Sequence, residues 1–352
     1  MVSCRKCYIG LLSYIFVVLF LVFVIFFIIV PISFKYNTEI QRNLVFPTWY
    51  VHPKNYSEDI RSYPLKGVRN FYLKVNEEKN ITLGILQILP SEVLSEFIKN
   101  DDYDYERTLK NPKYNILIFF HGNGQDRLDS FKMFGILRKF FNIIAFDYRG
   151  YADSSIEELT EDGVVKDSVA LYKIIRNMTD ARIFFWGHSI GTGVAVQTAA
   201  VLGTEHLIPT GVVLEAPFTS VTDVMQEHPL VEVYKWLPWF KYTIIDPMIQ
   251  NGFDFDSQSY ILDVDCPIMI IHAKDDEIIP YQLATKLYNI ASANRNYTYQ
   301  GDITYHLLEP VGYGHEWIFE EPFLPDYISK FVEYSTTFEN NVTKKRQNEQ
   351  ML

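Results

Sequence analysis

Gly187-His188-Ser189-Ile190-Gly191 is the stretch that most narrows what this chain can fold into. It fits G-x-S-x-G. Before it runs Ile183-Phe184-Phe185-Trp186, an apolar and aromatic run that reads as a buried strand. After it runs Gly193-Val194-Ala195-Val196-Gln197-Thr198-Ala199-Ala200, small and helix-compatible. A strand that turns this sharply into a helix needs glycines where a Cβ would clash. The middle residue then stands on an exposed elbow at a helix N-terminus, where backbone N–H groups favour developing negative charge. Such a unit belongs to an α/β chain whose strands lie mostly parallel in a doubly wound sheet. It makes Ser189 the candidate nucleophile.

An acyl-transfer site also needs oxyanion donors, a base and an acid. Tyr114 to Phe120 is a strong strand run that ends in His121-Gly122-Asn123-Gly124, a loop of the H-G-x-G type. The N–H groups of Asn123 and Ile190 are the expected oxyanion hole. Cys266 to His272 is a further buried-strand run, followed by Asp275, Asp276 and Glu277. A carboxylate at the C-terminal end of a parallel strand can reach the active edge. Asp276 is the expected acid and Asp275 its competitor. Leu307 to Glu316 reads as a last strand and a glycine-flanked loop presenting His315, the expected base. The chain order Ser189, Asp276, His315 is the one found where the nucleophile sits on such an elbow. His188 sits inside the elbow, His121 begins the oxyanion loop and His272 ends a strand, while His52, His206, His228 and His306 have no matching context.

These motifs fall in sequence with Asp147-Tyr148-Arg149-Gly150-Tyr151. Together the chain resembles the membrane-anchored α/β-hydrolase-domain lysophosphatidylserine lipases, which are also monoacylglycerol lipases. The resemblance runs from the N-terminal apolar segment to about Tyr334. The 87 residues from Ser189 to Asp276 and the 39 from there to His315 are similar to that family's spacing. It implies an α/β-hydrolase fold with a cap insertion, preceded by one transmembrane helix. It also implies a Ser-His-Asp site acting on lysophospholipid and monoacylglycerol esters. The short segment before the span departs from the family. Two other expectations stay open: a thioesterase or peptidase on the same fold, and a tethered binding protein without catalysis. The chemistry calls for no cofactor and no metal.

The N-terminus decides the compartment. No charge occurs from Cys7 to Phe34, and Ile15 to Val30 is unbroken apolar sequence, enough to span a bilayer core. A cleavable signal peptide is the rival, but Val30-Pro31-Ile32-Ser33 is a poor cleavage site. Arg5 and Lys6 precede the span, while Lys35, Glu39 and Arg42 follow it, a slight bias toward an N-terminus-inside, type II anchor. Asn55, Asn80, Asn177, Asn296 and Asn341 all begin glycosylation sequons. Chance would give about two, so the expected site of the body is the lumen of the endoplasmic reticulum, with the extracellular face of the plasma membrane as alternative. The body holds one cysteine, Cys266, and therefore no internal disulfide. Cys4 and Cys7 at the membrane edge suit S-acylation. A net charge of −11 argues against nucleic acid as a partner. The expected partners are a lipid ester and the bilayer.

The expected organisation is a cytosolic tail at 1–7, a transmembrane anchor at 8–34 and a juxtamembrane segment at 35–63. An α/β-hydrolase domain follows at 64–335 and a polar tail at 336–352. Val68 to Leu89 reads as a hairpin, and strands and helices then alternate. The segment at about 219–260 breaks the alternation and reads as a cap. It holds Trp236, Trp239 and Phe240 within five residues. Either these bury themselves on the cap, or they form an apolar lid that accepts an acyl chain.

Overall fold

The computed structural model describes residues 2–50, 62–100 and 102–350. Its frame is one eight-stranded sheet in the order β1-β2-β4-β3-β5-β6-β7-β8. β1 (Val68–Asn76) and β2 (Ile81–Ile88) form the antiparallel hairpin expected from the sequence, and β2 also pairs antiparallel with β4 (Asn142–Phe146). All other pairings, among β3 (Ile116–Phe120), β4, β5 (Ile183–His188), β6 (Gly211–Glu215), β7 (Ile268–Ala273) and β8 (Ile303–Leu308), are parallel.

The central strands are apolar at nearly every position because both faces are covered. In β3, Ile116, Ile118 and Phe120 enter one core while Leu117 and Phe119 enter the other. Helices Glu161–Met178, Ile190–Thr204 and Tyr281–Asn294, together with the cap, supply the first core. Helices Phe131–Leu137 and Leu324–Gln350 supply the second. The chain leaves β3 toward β4 and returns to β5 on the other side of β3. The strand order therefore reverses between β3 and β5, and a crevice opens there at their C-terminal ends. Phe120 pairs with Gly187 at that edge, which sets the loop after β3 beside the elbow after β5.

The N-terminal helix runs through Val2–Val24, a π-helical stretch Ile25–Ile29 and Val30–Tyr36. Tyr8–Tyr36 is long and apolar enough to cross a membrane and is mostly exposed, with Pro31 buried near its end. The helix thus passes the expected boundary at residue 34. Asn37 ends it and caps helix Thr38–Val45 by accepting from the N–H groups of Glu39 and Ile40. Val45 and Phe46 are buried in the first core, so this part of the juxtamembrane segment belongs to the body. The other end also differs from expectation. Helix Leu324–Gln350 crosses residue 335 without a break, and Glu339 accepts from Arg182 and Thr210. The helix keeps its contacts with the body at least as far as Asn340, so sequence polarity marked neither its end nor its departure from the body.

Candidate active site

Ser189 joins β5 to the helix Ile190–Thr204 with φ 54° and ψ −124°, a conformation few side chains adopt. Close approach explains both glycines of the motif. A Cβ at Gly187 would stand 2.5 Å from the Gly191 carbonyl oxygen, and one at Gly191 would collide with the Phe120 carbonyl. The Ser189 N–H donates to the Glu215 carbonyl at 3.0 Å, tying the elbow to β6.

Among the described hydrogen bonds, the N–H groups of Asn123 and Ile190 have no acceptor. Both flank the crevice, so two donors remain available to a substrate oxygen. The loop that carries Asn123 is fixed from several sides. The Gly122 N–H donates to Gln125 Oε1 at 2.9 Å, and Tyr148 Oη donates to the His121 carbonyl at 3.0 Å. Asn123 Nδ2 reaches the Leu44 carbonyl of the juxtamembrane helix at 3.4 Å. Gln125 Nε2 donates to Glu316 Oε2 at 2.9 Å, which couples this loop to the one bearing His315.

His315 Nδ1 donates to Asp276 Oδ2 at 2.7 Å. Asp276 Oδ1 accepts from the N–H groups of Ile278 and Ile279, each at 2.8 Å, and His272 Nε2 stands 3.1 Å from Oδ2. Burial alone would raise the Asp276 pKa. The hydrogen bonds from His272 and His315 outweigh it and hold the carboxyl well below the usual carboxylate range. Burial lowers the His315 pKa, against the opposing pull of Asp276. A lowered pKa keeps the imidazole neutral, the form that can take a proton. Asp275 has a different task. Its two oxygens accept from the Gly312 and Gly314 N–H groups at 2.7 and 3.1 Å, so it clamps the His315 loop. Among the described contacts, no hydrogen bond joins Ser189 Oγ to the His315 ring; such bonds often close only around substrate.

A cavity of about 200 Å³ lies beside the base, lined in part by Lys132, His188, Glu215, Glu316 and Trp317. His188, His315 and Glu316 bring ligand-capable atoms within 4.8 Å of one another. Yet Glu316 is engaged by Gln125, and His188 Nε2 faces the His315 carbonyl at 3.1 Å. The three cap aromatics part company. Phe240 is buried in the first core, Trp239 bonds through its indole N–H to the Phe27 carbonyl of the anchor, and Trp236 is exposed beside the Phe27 ring. Sequence reasoning did not find His272, whose Nε2 lies between the Ile279 carbonyl at 2.9 Å and Asp276 Oδ2 at 3.1 Å, the Gln125–Glu316 tie, or the anchor as neighbour of the cap. For His272 a signal existed, since it lies four residues before Asp276 at the end of β7.

The alpha/beta hydrolase fold family matches residues 115–245. An esterase from Pyrococcus furiosus superposes with a TM-score of 0.54 at 15% identity, covering 80% of this chain and 95% of that one. Sheet order, elbow serine and supporting loops make this an α/β-hydrolase. Lysophosphatidylserine lipase ABHD12 of Danio rerio is 30% identical over 315 residues, 87% of this chain and 80% of its own length. Human protein ABHD12B is 31% identical over 271 residues, 74% of this chain and 72% of its own length. The chain belongs to the lysophosphatidylserine lipase ABHD12 family.

Proposed function

We propose that this chain is a membrane-anchored serine hydrolase that cleaves carboxylic esters of lipids, lysophosphatidylserine and monoacylglycerols among them. The observation that carries the reading is the Asp276–His315 hydrogen bond on the loop next to the Ser189 elbow. Ser189 Oγ attacks the ester carbonyl, and His315 takes its proton. The N–H groups of Asn123 and Ile190 bind the oxyanion. His315 returns the proton to the leaving glycerol oxygen, and water then hydrolyses the acyl-enzyme. Asp276 holds the imidazole tautomer and stabilises its cation.

The leaving alcohol must lie on the side of the base that protonates it. In this reading the headgroup occupies the cavity next to His188 and Glu316, where Lys132 supplies a cation for an anionic group. The acyl chain then lies under the cap, with Phe240 on the inner side. In this reading residues 1–7 are cytosolic, the helix through Tyr36 is a type II anchor, and residues 64–335 with their cap face the lumen of the endoplasmic reticulum. Asn80, Asn177, Asn296 and Asn341 are exposed and open to glycosylation, while Asn55 lies outside the described residues.

The test uses the full chain in membranes. The wild type should release fatty acid from lysophosphatidylserine and monoacylglycerol and react with a fluorophosphonate. Ser189→Ala should lose the label and on the order of 10⁶ in turnover. Full labelling of that variant would refute the assignment. Labelling without lipid hydrolysis, but with hydrolysis of acyl thioesters, would move the substrate class.

A further inference from the structure

The cap has an apolar face that the hydrolase body leaves open. Leu230, Val233 and Trp236 are exposed by 74%, 51% and 62% and lie within seven residues. The neighbour on that side is the anchor helix. The Phe27 ring stands 5.8 Å from Tyr234 and 5.6 Å from Trp236. Trp239 Nε1 donates to the Phe27 carbonyl at 2.9 Å. A sequence reason lies four residues on. The α-helical donor to that carbonyl would be the N–H of residue 31, and residue 31 is proline. The Trp239 indole supplies this carbonyl with a donor from the cap, next to a proline that cannot give the α-helical one. Further along, Lys35 lies over the Tyr242 ring and Asn251 Nδ2 donates to Gln41 Oε1 at 2.7 Å.

Helix length sets the depth of this contact. The 29 residues of Tyr8–Tyr36, at about 1.5 Å each, exceed the roughly 30 Å hydrocarbon layer by about 13 Å. Charge decides which end projects. Glu232, Lys235 and Lys241 on the cap are exposed and costly to place in hydrocarbon. The anchor therefore sits with Phe27 at the edge of the hydrocarbon and Ile28 to Tyr36 in the headgroup layer.

We propose that the cap segment Leu230–Tyr242 is seated in the headgroup layer of the leaflet where the anchor emerges, as a second membrane contact of this chain. Tyr234, Trp236, Trp239 and Tyr242 form the aromatic belt that such a layer favours. Lys235, ion-paired with Glu232 at 2.6 Å, and the exposed Lys241 flank it at the polar edge of that layer. The occupant is lipid because the attached span brings the bilayer to this face in every molecule. Ester carbonyls of glycerolipids lie at the same depth, so substrate passes under the cap from the leaflet itself. The seating goes beyond the hydrolase reading and does not depend on it.

The full chain in nanodiscs tests this by tryptophan fluorescence. Lipids brominated close to the headgroup should quench the wild type, and Trp236→Phe should remove a clear share of that quenching. Aqueous iodide should gain little access to the Trp236 component. Trp236 is exposed, so the variant should fold, and an unchanged melting temperature verifies it. Iodide quenching of that component without bromolipid quenching would place the cap in water and overturn the proposal. Equal bromolipid quenching of the two proteins would overturn it as well.

Discussion

Two adjacent carboxylates, Asp275 and Asp276, show how finely the site is divided. Asp276 orients the base, whereas Asp275 holds the loop on which the base rides. Asp276→Asn should lower kcat by roughly 10³–10⁴, because an amide favours the wrong His315 tautomer. Asp275→Asn keeps one acceptor for the loop and should cost far less. Steady-state kinetics on one short ester compares them, and a reversed order would exchange their roles. The lowered His315 pKa makes a separate claim. Neutral imidazole is the working form, so kcat/KM rises as pH climbs through the free-enzyme pKa. Because that pKa is depressed, the midpoint of the acid limb should fall below the ordinary histidine value of about 6.5. A midpoint above it would mean that the Asp276 partner outweighs burial.

The anchor helix and the cap share a hydrogen bond at a carbonyl that Pro31 deprives of its α-helical donor. If Trp239 serves the Phe27 carbonyl, Trp239→Phe should cost about 1 kcal/mol of thermal stability in lipid or detergent. In a Pro31→Ala background the helix regains its own N–H donor, and the same substitution should cost less. A double-mutant cycle on the inactivation midpoint reads the difference. Equal losses in both backgrounds would mean that the indole acts by packing alone. The oxyanion loop has a related dependence, since Asn123 reaches the Leu44 carbonyl and Phe46 is buried beneath. The juxtamembrane helix is thus a part of the hydrolase body that continues directly from the membrane span.

At the scale of the whole molecule, one switch point gathers every catalytic candidate. Reversal of strand order at β3 and β5 sets the Asn123 loop beside Ser189, while β7 and β8 deliver Asp276 and the His315 loop from the other side. The orientation of this body across the membrane follows from the proposed type II anchor. Endoglycosidase should increase the gel mobility of the full chain, and replacing the four exposed sequon asparagines with Gln should remove part of the shift. An unglycosylated body, digested by protease outside intact microsomes, would reverse the topology.

Sequence alone determined what depends on neighbours in the chain. Buried strands follow from apolar runs such as Ile116 to Phe120. The elbow follows from the steric demand of Gly187 and Gly191, and the span from 29 uncharged or nearly uncharged residues. Candidate residues for the site were legible because turns at strand ends of a parallel sheet share one edge. The place of Asp276 in the turn singled it out over Asp275, but the partners of most side chains were not legible. Nothing local says that Asp275 turns toward Gly312 and Gly314, or that Trp239 meets a carbonyl 212 residues earlier. Those choices are made by contacts between distant segments. Each is worth about a kilocalorie per mole or so, and each exists only after the sheet and the anchor have brought the partners together.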